Sequence, residues 1–199
     1  MGEAEDVRAT AFHEAGHAVI GYWLKLGLRS ATIVANANYL GMVRSSIRTD
    51  MTDVDSLVQN RQRLFMERQI MFSLAGELAE SMHLGRDAES GFGQDFDSAV
   101  SAADWMSAST EEAEAYVHWL GERTRTILRL EPVWDAVTAV ADALMEHGTL
   151  GQNRLRQIIE AAMFPDRQPK DVDAEADAAS TSAPISPWIP GSTASRLRH

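Results

Sequence analysis

The chain contains no cysteine. Disulfides and thiolate metal sites are therefore excluded, and any bound metal must be held by nitrogen and oxygen donors. Basic residues are scarce as well. Eighteen Lys and Arg stand against 29 Asp and Glu, a net charge of -11. A nucleic-acid-binding surface needs a basic stripe, so no nucleic-acid partner is expected. No apolar run approaches the length that spans a bilayer, and no membrane segment is expected. The N-terminus carries Glu3, Glu5 and Asp6 rather than the basic start of a signal peptide. These absences predict a cytoplasmic protein. A Walker-type Gly-rich phosphate loop is also missing, which speaks against ATP hydrolysis by these residues.

What is present is an ordinary globular composition, 45% hydrophobic and 24% charged over 199 residues. That length accommodates one well-packed domain and a tail. The pattern sets the boundary near residue 164. From Pro165 to His199 the chain is rich in Ala, Ser, Pro, Asp and Arg, with Pro184, Pro187 and Pro190, and reads as a flexible tail over 165–199. Trp188, flanked by Ile185 and Ile189, is the one hint of a docking segment there.

The most informative stretch is His13-Glu14-Ala15-Gly16-His17. Histidines four apart on a helix point the same way, so both imidazoles can reach one metal ion. Glu14 is then placed to take a proton from a metal-bound water, the general-base role in this type of zinc site. The flanks supply the helix. Val7, Ala11, Phe12, Ala15, Val19, Ile20, Trp23 and Leu24 recur at helical spacing from Ala4 to Leu26, and Gly27 is a plausible stop. Gly16 costs about 1 kcal/mol relative to alanine inside a helix, but it would let another backbone pass close to the metal site.

Further along, Ser30–Val34 is short and β-branched. After a turn at Asn36–Asn38, the segment Tyr39–Ser45 reads as a returning strand. A long helix is predicted over Leu57–His83, ending at Gly85, then a loop over Arg86–Gly93. Helices follow near Gln94–Ser107, Glu111–Arg129, Pro132–His147 and Gln152–Met163. The fold class is mainly α, with a short β-hairpin or small sheet packed on the first helix.

A catalytic zinc usually has three protein ligands and one open position. Glycine at 20 and histidine at 23 would continue a metzincin motif, but Ile20 and Trp23 stand there. No glutamate occurs between Glu14 and Glu67, which removes the thermolysin-like arrangement. The remaining candidates are Glu77 and Glu80 on the long helix, and Asp87, Glu89, Asp95 and Asp97 around the following loop. Spacing alone ranks Asp95 only slightly above Glu80, since carboxylates are favoured in the first turn of any helix. His83, His118 and His147 read as helix-face or terminal histidines.

The run Thr10-Ala11-Phe12-His13-Glu14-Ala15-Gly16-His17-Ala18-Val19 resembles the start of the peptidase domain of FtsH-type ATP-dependent zinc proteases. Later features fall in that family's order: Leu40-Gly41, then Leu74-Ala75-Gly76-Glu77-Leu78-Ala79-Glu80, then Gly91-Phe92-Gly93-Gln94-Asp95-Phe96, and finally Thr149-Leu150 before Leu155–Ile159. The resemblance covers roughly residues 5–163. It departs where the family has Gly-Gly-Arg and this chain has Ala75-Gly76-Glu77, and where Gln94 replaces asparagine.

The resemblance implies a zincin-like helical peptidase domain over 1–164, with Zn2+ held by His13, His17 and Asp95 and water activated by Glu14. Glu80 becomes the candidate for orienting a ligand from behind. The strand at Gly41, Met42 and Val43 resembles the edge to which an extended substrate peptide adds. Peptides or unfolded proteins are the implied substrates. A homo-oligomer, six-membered by resemblance, and a separate ATPase or delivery partner are the implied partners. The competing expectation is a non-catalytic binding or adaptor module on the same fold. The retained Glu14 argues against it, because a purely structural zinc site needs no general base.

Overall fold

A computed structural model describes residues 3–34, 42–45, 56–85 and 94–166. Six helices and three short strands follow along them in this order: α1 Glu3–Trp23, β1 Leu28–Thr32, β2 Met42–Ser45, α2 Ser56–Leu84, α3 Gln94–Asp104, α4 Thr110–Leu128, α5 Glu131–His147, β3 Thr149–Gly151 and α6 Gln152–Met163. The mainly α architecture with a small antiparallel sheet is as expected from the sequence. The chain divides into two units, Met1–Pro165 and Asp166–His199, and Asp166 is the sole described residue of the second. The tail expectation otherwise lies outside the described residues.

Helix α1 runs through the centre of the first unit, packed on α2 and α5. Ala11, Phe12, Ala15, Ala18, Val19 and Ile20 are all buried, and they merge with Ile70, Met71, Leu74 and Leu78 of α2 and Val133, Val137, Val140 and Leu144 of α5 in one core. Val7 and Trp23 share the helical spacing but lie near the two ends of α1, where the bundle no longer covers them, and both are exposed. Side-chain bonds tie α1 outward. Arg8 pairs with Asp142 at 3.0 Å, and Tyr22 donates to Glu160, which also accepts from Arg156.

The end of α1 differs from expectation. Lys25, not Gly27, takes the left-handed conformation with φ of 57°. The amide of Leu26 bonds back to Gly21 O and that of Lys25 to Tyr22 O, a Schellman termination with lysine in the place usually held by glycine. The α4 start is conventional: Ser109 accepts from the Glu112 amide, while the Glu112 carboxylate reaches back to the Ala108 amide.

The sheet has the order β2-β1-β3, both pairings antiparallel. β1 begins and ends two residues earlier than expected. The third strand has no sequence signal. Gly148, with φ of 71°, caps α5 and turns the chain directly into Thr149–Gly151, which pairs with Ser30–Thr32. Three residues are too few for an alternation pattern to register. Among the described residues, no helix is long and apolar enough to cross a membrane.

Candidate metal centre

Histidine spacing on α1 places two imidazoles one turn apart, their ring centroids 4.8 Å from each other. Each ring is held at its outer nitrogen by α2. His17 Nδ1 lies 2.8 Å from the carbonyl oxygen of Phe72. A carbonyl can only accept, so Nδ1 carries the proton and Nε2 is left with its lone pair free to take a proton or a metal. His13 Nδ1 lies 3.1 Å from Glu80 Oε2, which assigns its outer proton in the same way.

The inner nitrogens converge. His13 Nε2 and His17 Nε2 are 3.1 Å apart, and Asp95 Oδ2, from the first turn of α3, lies 3.1 Å from one and 3.3 Å from the other. Three electron-rich atoms at one point repel unless a proton or a cation sits between them. Tetrahedral zinc with bonds of about 2.0–2.1 Å sets its ligand atoms about 3.3 Å apart. The triangle therefore has the dimensions and the donor chemistry of a zinc site. Among the described residues, these three form the one such group of His, Asp or Glu.

The electrostatics follow from this crowding. For the protein without metal, burial disfavours a charged His13. Hydrogen bonds to Asp95 and Glu80 and the charges of Glu14 and Asp95 outweigh it and raise the imidazole to about 10. Burial likewise works against an ionised Asp95, yet its bonds to His13 and His17 hold the carboxyl well below the usual carboxylate range. Glu14 moves the other way. Burial pushes its carboxyl up, the two histidines pull it back in part, and Asp95 adds to the push. Glu14 is 5% exposed, and its Oε2 atom has no hydrogen-bond partner among the described residues. A buried carboxylate oxygen left unbonded beside a ligand cluster is costly in a structural role and suited to a group that accepts a proton in turnover.

The structure thus separates the two acidic candidates that spacing left close. Asp95 faces both Nε2 atoms, whereas Glu80 stands behind His13. Glu77 is not in the cluster, and Asp97 is exposed on α3. Asp87 and Glu89 lie outside the described residues, as does Gly41. Met42 and Val43 fall on β2, an outer strand of the sheet. The other histidines stand apart: His83 stacks on Phe12 at 3.7 Å, His118 lies 6.0 Å from Phe96, and His147 approaches Glu146.

Gly16 does what its position suggested. A Cβ there would stand 2.4 Å from the Ala75 carbonyl oxygen and 2.6 Å from the Ala79 Cβ, so α1 and α2 touch backbone to backbone beside the site. Two contributors were missed. The Phe72 carbonyl belongs to the backbone and leaves no mark in the sequence. Gly76 does leave one, because a glycine in the interior of a 29-residue helix needs a reason.

Comparison with known proteins converges on the same segment. The sequence model of peptidase family M41 matches residues 1–111, which carry all the site residues. The ATP-dependent zinc metalloprotease FtsH of Rickettsia felis is 37% identical over 106 residues, covering 52% of this chain and 15% of that protein. The FtsH proteins of Rickettsia conorii and Rickettsia typhi are 36% and 35% identical over the same length and the same shares. The matched stretch is therefore a small part of these curated relatives, which are several times longer than the chain.

Proposed function

Because this chain belongs to peptidase family M41 and carries an FtsH-type zinc metallopeptidase domain, we propose that His13, His17 and Asp95 hold a catalytic zinc ion and that Glu14 is the general base for peptide-bond hydrolysis. The observation that carries this reading is the meeting of two Nε2 lone pairs and one carboxylate oxygen within 3.3 Å, next to a buried, unbonded glutamate. Zinc bound there supplies a Lewis acid that polarises the scissile carbonyl and makes a water molecule more acidic.

The remaining steps belong to the chain. Glu14 takes a proton from the attacking water and returns it to the leaving amine. Its burial beside the two histidines places it to make both transfers. Glu80 and the Phe72 carbonyl keep the Nδ1 protons of His13 and His17 in place, which keeps both Nε2 lone pairs turned inward. An extended peptide adds to the outer edge of β2 along Met42 and Val43, so the backbone is aligned with little demand on its side chains. Peptides and already unfolded proteins are the proposed substrates, reaching a cytoplasmic, homo-oligomeric enzyme either directly or from a separate ATPase.

The test pairs zinc content with cleavage of an unfolded protein, for wild type and Glu14→Gln. Equal zinc with cleavage in wild type alone supports the reading. Equal zinc with no cleavage in either refutes catalysis by this chain alone and favours a binding module. Absence of zinc from both overturns the site.

A further inference from the structure

The α2 residues that attend the two histidines are Phe72, Gly76 and Glu80, spaced by four and hence on one stripe of the helix. The first and last hold the outer nitrogens of His17 and His13. Between them is a residue with no side chain. A Cβ built on Gly76 would stand 2.4 Å from His17 Nε2, 2.6 Å from His13 Nε2 and 2.7 Å from His13 Cδ2. All three nearest atoms belong to the imidazoles, and two of them are the nitrogens that face the shared point.

The other helix-interior glycines provide the contrast. At Gly16 the obstructing atoms are the Ala75 carbonyl and the Ala79 side chain, so that glycine serves helix packing. At Gly121 a Cβ would meet only Leu74 Cδ1, at an ordinary 3.7 Å. At Gly21 a Cβ would stand 2.7 Å from Leu28 Cδ2 and 3.2 Å from the Phe72 ring, again a packing contact, so of these four helical glycines Gly76 alone has its space taken by the histidine rings.

We propose that Gly76 is a positioning residue of the metal centre, its missing side chain leaving the room in which His13 and His17 bring their Nε2 atoms together. This rests on the zinc reading above. Zinc must lie about 2.0–2.1 Å from each nitrogen. A methyl carbon requires about 3.5 Å of its own, so each nitrogen would have to retreat by about 1 Å. Productive ligand geometry tolerates about 0.5 Å. Alanine at 76 therefore favours the helix locally and spoils the ligand pair, two effects of opposite sign that can be read separately.

The experiment uses the full chain with zinc as the probe. Zinc affinity is measured by competition with a chromophoric chelator for wild type, Gly76→Ala and Gly121→Ala, with far-UV circular dichroism confirming the metal-free fold. Gly76→Ala is expected to lose at least about a hundredfold in affinity, more than the usual effect of residues behind a ligand, while Gly121→Ala keeps the wild-type value. Gly76→Ala binding within about twofold of wild type overturns the proposal. A second arm needs no metal. In a His13→Ala/His17→Ala background the three obstructing atoms are gone, and Gly76→Ala should leave the melting temperature unchanged or raise it by about 2–4 °C, the helix-propensity gain. If Gly76→Ala unfolds the protein in that background too, the glycine serves packing and the proposal is wrong. Failure of wild type itself to bind zinc would instead sink the zinc reading, leaving the second arm to judge the glycine.

Discussion

Asp95 and Glu80 both touch His13 at 3.1 Å, one at the inner nitrogen and one at the outer, so replacing each by alanine separates the proposed ligand from its proposed support. Loss of an outer partner typically costs 10–100-fold in metal affinity, or about 1.4–2.7 kcal/mol. Loss of Asp95 removes one of three donor atoms and must cost more. The difference can be read as zinc-dependent stabilisation, since a ligand raises stability by RT ln(1 + [L]/Kd). At free zinc about a thousandfold above the wild-type Kd, wild type gains about 4.1 kcal/mol, Glu80→Ala about 1.4–2.7 kcal/mol, and Asp95→Ala less than about 1.4 kcal/mol. For a chain of this size each kcal/mol moves the melting temperature by about 2–4 °C. Thermal scans with and without zinc should therefore rank the shifts as wild type, Glu80→Ala, Asp95→Ala. Each variant is referenced to its own metal-free scan, because Asp95→Ala also removes an anion from beside His13. If Glu80→Ala abolishes the zinc shift while Asp95→Ala keeps it, the ligand assignment is reversed and the geometric argument fails.

Lys25→Gly should stabilise the fold by up to about 1 kcal/mol, since a left-handed lysine costs about 1–2 kcal/mol and glycine gives part of that back as unfolded-chain entropy; a drop in melting temperature would contradict the Schellman assignment. Gly16→Ala should destabilise by about 1–3 kcal/mol, as expected of overpacking, with or without zinc, because its obstruction is the α2 backbone at Ala75. His83 is lowered from 6.5, by burial first and then by Arg8, with Asp142 and Glu5 opposing. The unfolded chain then binds the proton more readily, so His83 contributes stability above pH 6.5 that is lost as pH falls through its lower folded pKa. Denaturant titrations of the metal-free protein at pH 5 and pH 7.5 should show a smaller pH 5 loss for His83→Gln than for wild type.

The helices were legible because each is long enough for its apolar period to repeat, and their observed limits fall within three residues of the expected ones; the telling difference is the end of α1. There the stop was assigned to Gly27 on residue type, while the chain turned earlier through Lys25. Tertiary placement of Leu26 and Leu28 in the core outweighs the local cost at one residue. β3 was missed for the opposite reason: Thr149–Gly151 is a strand only because Ser30–Thr32 lies beside it. Neither stretch carries enough alternation to announce the pairing.

The site was half legible, and the missing half has a physical reason. A motif such as His13-Glu14-Ala15-Gly16-His17 is local, since one helix fixes the relation of its residues. The partners on α2 are also regularly spaced, but 72, 76 and 80 contribute a carbonyl, an absence and a carboxylate, with no common residue type to reveal the stripe. What joins the halves is the packing of the two helices. Ala75 and Ala79 press against Gly16, and with that contact made the register of α2 is set. The next stripe of α2 then falls on the histidines, with Phe72 behind His17 and Glu80 behind His13. A slip of one residue would turn that stripe about 100° away from the rings and bring side-chain-bearing residues toward them. The small residues of α2 therefore act in adjacent rows: Ala75 and Ala79 fix where the helices cross, and Gly76 fixes what fits between them. Asp95 completes the site from a separate helix, which is why spacing could not choose it and its position relative to both Nε2 atoms could.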